Sequence, residues 1–240
     1  MPTSDEIAYQ YDPLAARSAL AGQVEALRSA VHGLTAAELE LPTRLEGWRV
    51  RELVAHLGIV LEWVPRYLDT PVPEGEPLAL LAWVGVTRTA AATILAGVQE
   101  HAAESFAGPP AAVAEGFDEA ADALLAVLDG PAAEPGRLIA MRFGPMLLAD
   151  YLVTRLVESV VHADDLADAL GRAADFPHDQ RAVGLVAGLL RTAAGAGDDP
   201  LRADGLDWIR LATGRLAWAD ADGLPGWAQS GLGKVLPVMG

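Results

Sequence analysis

Residues 147–166 form a segment that is apolar on almost every side except along one line of polar side chains. At about 100° per residue, these side chains fall within a helical arc of about 80°. They are Tyr151, Arg155, Glu158, His162 and Asp165. A helix on a protein surface would instead be polar over about half of its circumference. The segment therefore predicts a helix enclosed by other helices, in whose interior charged groups must be paired or bound to a metal.

The rest of the chain also favours helices, because alanine and leucine dominate it and alternating β-branched runs are nearly absent. The predicted helices span 14–31, 48–68, 78–107, 112–128, 146–170, 178–193 and 206–219. A capping box of Thr35 and Glu38 predicts one further short turn. The fold class we predict is mainly all-α, with a four-helix bundle in residues 1–175 and a small, reduced C-terminal subdomain in 176–240.

Charge and cysteine content exclude several classes of function. The chain has 33 acidic against 17 basic residues, a net charge of −16, which disfavours nucleic acid and anionic membranes as partners. It contains no cysteine, so any thiol chemistry requires sulfur from a small molecule. Residues 1–6 lack the layout of a signal peptide, and the apolar stretch 78–98 is interrupted by Arg88. We therefore expect a cytoplasmic protein.

The polar line offers candidate metal ligands. Glu158 and His162 lie one helical turn apart, a spacing that lets a carboxylate and an imidazole bind one ion. His56, at the edge of the inward face of the second long helix, is the candidate third ligand. The alternative is a buried network of ion pairs, Arg155 with Glu158 and His162 with Asp165. We expect structural or exposed roles for the remaining histidines, which are His32, His101 and His178.

Two segments together resemble the mycothiol-dependent maleylpyruvate isomerase-like proteins of the wider DinB-like superfamily. The first is 41–57, LPTRLEGWRVRELVAHL, and the second is 155–167, RLVESVVHADDLA. The similarity extends over roughly residues 14–171. Each motif alone is modestly specific, whereas both in this order are a stronger indication.

The resemblance implies a DinB-like four-helix bundle that holds one divalent metal, most often zinc, through His56, Glu158 and His162. It also implies that mycothiol or a similar low-molecular-weight thiol binds there and becomes a thiolate nucleophile. In the isomerase this thiolate is thought to add to an activated double bond of a small electrophile, allow rotation and leave. Related proteins transfer the thiol to electrophiles, so isomerisation and S-transfer both stay open.

The C-terminal part departs from the family pattern. Relatives often carry an α/β domain there that contributes an arginine to the substrate pocket, and residues 206–218 resemble its last helix. No strand pattern precedes that helix, so the sheet is predicted to be missing or much reduced. We name Arg215 and Arg155 as catalytic candidates for binding an anionic substrate. It stays open whether Arg215 or Arg210 reaches the pocket, and whether Arg155 instead pairs with Glu158.

Two other functions remain as alternatives at this stage. Two histidines and one carboxylate also describe a non-haem iron oxygenase. A non-catalytic bundle protein could keep the same ligands for a structural metal. A homodimer is possible on either interpretation.

Overall fold

The computed structural model describes residues 8–87, 106–131, 133–196, 204–221 and 231–239. Its elements in chain order are α1 (Pro13–His32), α2 (Ala36–Leu39), α3 (Val50–Leu68), α4 (80–87), α5 (Pro110–Leu128), β1 (Leu138–Met141), β2 (Gly144–Leu147), α6 (Leu148–Ala169), α7 (Gln180–Ala193) and α8 (Gly205–Ala212). The prediction of a mainly all-α bundle is confirmed. Within the described ranges, every helix is too short or too polar to cross a lipid bilayer.

Four helices form the bundle in the described part of the chain. Helix α6 packs on α1 and α3, and α5 packs on the same two helices. Helix α6 is enclosed as predicted, since Val153, Thr154 and Leu166 lie about 100° or more apart around its axis and all have zero exposure. The third bundle helix along the chain is α5 rather than the predicted helix 78–107. Within the predicted helix 78–107, residues 80–87 are helical and residues 106–107 are not. Residues 88–105 lie outside the described residues.

Local hydrogen bonds fix where the bundle helices begin. The Asp12 carboxylate accepts from the backbone N–H of Leu14, and Pro13 occupies the first turn, where its missing N–H costs nothing. The predicted capping box of Thr35 and Glu38 is present. Helix α3 begins two residues later than predicted, where Glu52 accepts from the backbone N–H of Arg49 at 2.9 Å.

A β-hairpin that the sequence did not predict precedes α6. Strands β1 and β2 are antiparallel, and their pairing ends at Met141 opposite Gly144. The two residues between them, Arg142 and Phe143, form the tip of the hairpin. Since β2 includes Leu147, helix α6 begins at Leu148 instead of the predicted residue 146.

The C-terminal helices pack on the outside of the bundle. Helix α7 contacts α1 and α6, and α8 contacts α7. Trp208 of α8 is completely buried, so its ring anchors this helix on the rest of the protein. The predicted helix 206–219 is too long: α8 ends at Ala212, because Gly214 adopts a left-handed conformation with φ of 73°. The predicted division of the chain at residue 176 stays a prediction.

Helices α3 and α5 approach each other around the ring of Phe106, which is 2% exposed. A Cβ added at Gly58 of α3 would lie 2.6 Å from the Phe106 ring, and one added at Gly116 of α5 would lie 3.2 Å from it. The ring is therefore confined on both sides by glycines. Side chains at these positions would force the two helices apart.

We expect Gly58→Ala to lower the free energy of unfolding by about 1 kcal/mol or more, because overpacking costs about 1–3 kcal/mol and exceeds the gain in helix propensity. Gly184→Ala in α7 is the matched control, since nothing lies within 4 Å of its added Cβ. This control should gain about 0.5–1 kcal/mol. Urea unfolding measures both, and equal stabilisation of the two variants would contradict the packing argument.

Candidate metal centre

The structure brings the three predicted ligands together at one place in the bundle. Helix α3 provides His56, and α6 provides Glu158 and His162. His56 Nε2 lies 3.5 Å and His162 Nε2 lies 3.3 Å from Glu158 Oε2. One ligand atom from each residue lies within 4.8 Å of the ligand atoms of the other two. Whether these residues bind a metal stays a prediction.

The donor atoms fit a divalent cation. A tetrahedral site with bonds of about 2.1 Å holds its donor atoms about 3.4 Å apart. The two distances to Glu158 Oε2, 3.3 and 3.5 Å, match this separation without any movement of the side chains. Two imidazoles and one carboxylate are also the ligands of a catalytic zinc site with an open position.

Asp165 fixes the orientation of one of the ligands. Its carboxylate lies 2.8 Å from His162 Nδ1. Because an ionised carboxylate only accepts hydrogen bonds, the Nδ1 proton is donated to Asp165. In neutral His162 the lone pair is therefore on Nε2, the atom that faces Glu158. The pair of His162 with Asp165, which the alternative of a buried ion-pair network predicted, is therefore present. It is equally consistent with His162 as a metal ligand.

His56 is positioned by packing rather than by a carboxylate. Its ring meets the ring of Trp48 edge to face at 5.2 Å, and the ring of His162 at 4.7 Å. Its Nδ1 is buried and has no hydrogen-bond partner among the described residues. The two histidines of the centre are therefore held by different interactions.

The three ligands have shifted pKa values. Burial lowers the pKa of His56, so this imidazole is neutral. Burial would raise the pKa of Glu158, but hydrogen bonds from His162 and His56 hold it well below its usual value. Burial would also lower the pKa of His162, but hydrogen bonds to Asp165 and Glu158 outweigh it and raise this pKa to about 8. A bound cation would therefore compete with one proton, on His162.

Arg155 does not form the alternative ion pair with Glu158. Its guanidinium lies over the ring of Tyr151, 4.6 Å from the ring centre, and its Nε donates to Thr154 Oγ1 at 3.2 Å. The charge of Arg155 still lies near enough to help lower the pKa of Glu158, although the two groups form no direct ion pair among the described residues.

A cavity of about 450 Å³ opens beside the centre. His56, Glu158 and Arg155 line it, so a molecule in the cavity would reach the ligand atoms. Its other charged lining residues are Arg66 and Arg142, and Glu158 is its only acid among the described residues. Aromatic rings form much of its wall: Trp63, Tyr67, Trp83, Phe143 and Tyr151.

Arg215, a catalytic candidate from the sequence, binds Asp165 in the structure. Its Nε and Nη2 donate to the two carboxylate oxygens at 2.9 and 2.8 Å. Arg210 binds Asp164: its Nε and Nη2 both donate to Oδ1, at 3.0 and 2.6 Å, and Nε also contacts Oδ2 at 3.2 Å. Neither arginine is among the described residues that line the cavity. In the structure Asp165 holds the guanidinium of Arg215, and a catalytic role for Arg215 stays a prediction.

The other predicted residues lie away from the centre. His32, at the end of α1, contacts Asp118 at 2.8 Å and is half exposed. His178 packs against the ring of Phe176. His101 lies outside the described residues.

Sequence reasoning missed part of the cavity wall. Ile59, Val60, Trp63 and Tyr67 follow His56 at helical spacings and line the same face of α3. This spacing is the signal that could have identified them. Arg142, at the hairpin tip, had no comparable signal.

The family model described as the mycothiol maleylpyruvate isomerase N-terminal domain matches residues 20–167, more than half of this chain. The match includes the three candidate ligands and Asp165, and it ends before Arg210 and Arg215. No curated protein and no solved structure matches the chain.

In metal-free protein, we expect the free energy of unfolding to fall as the pH rises from about 6.5 to about 8. The folded-state pKa of His162 is raised from 6.5 to about 8, so its stabilising contribution is complete below pH 6.5 and is lost as the pH rises through 8. The loss is about 2 kcal/mol, at roughly 1.4 kcal/mol per pH unit. His56, whose pKa is lowered, changes the free energy of unfolding with pH only below pH 6.5.

Denaturant unfolding of chelator-treated protein across this pH range measures the effect. His162→Gln is the control, and its stability should be nearly constant between pH 6.5 and 8. An unchanged fall in this variant would show that another group titrates.

Proposed function

This chain belongs to the family of the mycothiol maleylpyruvate isomerase N-terminal domain, and we propose that it is a metal-dependent enzyme in which a low-molecular-weight thiol attacks a small electrophile. The reaction is isomerisation or S-transfer, and mycothiol is the thiol that the family name indicates. One observation carries the proposal: the three candidate ligands lie together, with ligand atoms within 4.8 Å of one another, and two of them, His56 and Glu158, line an open cavity.

His56, Glu158 and His162 would hold the cation, with zinc the metal that this set favours. When bound, such a cation lowers the pKa of a coordinated thiol and provides a thiolate at neutral pH. The chain itself has no cysteine, so the reacting sulfur belongs to the thiol substrate. The cavity beside the ligands, of about 450 Å³, has the size typical of small-molecule sites.

The charges of the cavity favour an electrophile that bears a carboxylate. Although the chain carries a net charge of −16, three arginines and one glutamate are the charged residues that line the cavity among those described. Arg66 is engaged by Glu62 at 2.6 Å. Arg155 and Arg142 have no carboxylate within 4.0 Å in the described part of the chain. These two cations are therefore available to an anionic ligand.

Arg155 is the residue we assign to the developing charge of the substrate. When a sulfur adds to a conjugated double bond, a carbon–sulfur bond forms and an electron pair moves to the conjugated carbonyl oxygen. The Arg155 guanidinium, held over Tyr151, can stabilise this negative charge. In isomerisation, rotation about the new single bond precedes return of the electron pair and departure of the sulfur.

Part of the cavity wall is apolar and buried. Trp83 and Tyr151 are 2% and 3% exposed, so their rings form an apolar lining next to the charged groups. Charge interactions are stronger in such surroundings than in water. This feature favours catalysis over a purely structural metal, for which no cavity beside the ligands is needed.

We expect His56→Ala and Glu158→Ala each to abolish metal retention, because each leaves two ligands. Purified wild-type protein should retain about one divalent ion per chain, as the three-ligand site requires. The control is His32→Ala, which removes a surface histidine and should retain metal at the wild-type level. Elemental analysis measures the ion, and normal metal content in the ligand variants would refute the assignment.

We expect turnover of maleylpyruvate to require both the metal and mycothiol. Omitting the thiol should reduce the rate to that of the protein-free reaction. Turnover that is indifferent to thiol would refute the thiol mechanism. Retained iron together with oxygen uptake would instead support the oxygenase alternative.

We expect Arg155→Met to raise the KM for a carboxylate-bearing electrophile about 10–100-fold, since a lost charged hydrogen bond costs about 1.5–3 kcal/mol. Metal content should stay unchanged, because Arg155 contributes no ligand. Arg66→Met is the matched control and should change KM less than about threefold, as Glu62 already neutralises Arg66. Steady-state kinetics of the metal-loaded variants measure this, and equal effects would contradict the role of Arg155.

A further inference from the structure

Asp165 joins the C-terminal segment to the candidate metal centre. Its side chain has zero exposure, so its charge must be neutralised by protein groups. On one side it accepts from His162 Nδ1 at 2.8 Å. On the other it accepts two hydrogen bonds from Arg215, at 2.9 and 2.8 Å. Arg215 is thus connected to a ligand histidine through a single carboxylate.

Arg215 is held in place by the end of α8. Gly214 adopts a left-handed conformation, and the backbone N–H of Arg215 donates to the carbonyl oxygen of Arg210 at 2.7 Å. The N–H of Gly214 donates to the carbonyl oxygen of Leu211 at 3.3 Å, which completes a Schellman motif. The guanidinium also donates to the carbonyl oxygen of Thr213 at 3.1 Å. Its position is therefore fixed by the backbone of α8 as well as by Asp165.

We propose that Arg215 is a positioning residue that orients the metal ligand His162 through Asp165, so that this one contact from the C-terminal segment strengthens metal binding. The proposal rests on the metal site of the proposed function. It assigns a task to a segment that lies beyond the residues 20–167 matched by the family model.

A planar guanidinium with two parallel hydrogen bonds fixes both the position and the plane of a carboxylate. The fixed carboxylate then sets the proton position and the ring orientation of His162, which leaves Nε2 directed at the metal. Groups that orient metal ligands in this way typically change metal affinity 10–100-fold when they are removed.

A second cation near Asp165 cannot replace Arg215. Arg44 Nε lies 3.4 Å from Asp165 Oδ1, but the same guanidinium also contacts Asp164 at 3.4 Å and Asp168 at 3.2 Å. Its charge is shared among three carboxylates, and it makes no paired contact with Asp165. Without Arg215, the carboxylate would keep a nearby positive charge but lose the contact that fixes its plane.

Arg210 provides a matched control. It lies on the same segment, and its Nε and Nη2 bind Asp164 at 3.0 and 2.6 Å. Asp164 is 1% exposed, as deeply buried as Asp165, but no contact joins it to the three candidate ligands among the described residues. Loss of Arg210 therefore tests packing of the segment without breaking the contact to His162.

The experiment titrates metal-free full-length protein with Co²⁺ and follows the visible absorption of the bound ion. We expect Arg215→Ala to weaken Co²⁺ binding about 10–100-fold. Arg210→Ala should weaken it less than about threefold, and Arg215→Lys, which keeps the charge but not the paired contact, should fall between the two. Wild-type affinity in Arg215→Ala, or equal weakening in Arg210→Ala, would overturn the proposal.

A double-mutant comparison keeps the test valid if one variant folds poorly. In an Asp165→Asn background, the further change Arg215→Ala should have little additional effect on Co²⁺ affinity, because both changes interrupt the same connection. Additive losses would overturn the proposal. If wild-type protein binds no Co²⁺, the metal site and the proposed function are both refuted. If wild-type protein binds Co²⁺ and Arg215→Ala binds it with the same affinity, only the positioning role is refuted.

Discussion

The structure depends on neutralising the charges that α6 carries into the bundle. Each buried acid on this helix is paired with a cation from another part of the chain or with a histidine of the candidate centre. Glu158 faces His56 of α3, Asp164 binds Arg210, and Asp165 binds His162 and Arg215. Since removing one partner would strand a charge in the interior, these contacts favour a single arrangement of α3, α6 and α8.

Much of this arrangement could be predicted from the sequence, because helical periodicity determines which side chains share a face. The line from Tyr151 to Asp165 predicted an enclosed helix, and the structure confirms the enclosure. The same periodicity predicted that His56 lies near Glu158 and His162. Metal binding by these residues stays a prediction. The capping box of Thr35 and Glu38 was predictable because it is a local hydrogen-bond pattern.

Other features depend on long-range packing and left no periodic signal. The four-residue strands of the hairpin contain Gly144 and Pro145 and lack alternation, so no pattern indicated them. The length of α8 was overestimated because Gly214 ends it in a left-handed conformation. The direction of Arg215 depended on which buried carboxylate lay nearest, Asp165 rather than a ligand in the cavity, and only the packed structure defines that distance.

The proposed function gives the hairpin tip and the candidate ligands separate tasks. Its tip places Arg142 and Phe143 at the cavity, whereas the candidate ligands lie on bundle helices whose packing tolerates little change. Arg142 is exposed and contributes nothing to the core, so replacing it would leave the helices undisturbed. Under the proposed function, a substitution at Arg142 would thus change which molecules the cavity accepts while the candidate ligands stay in place.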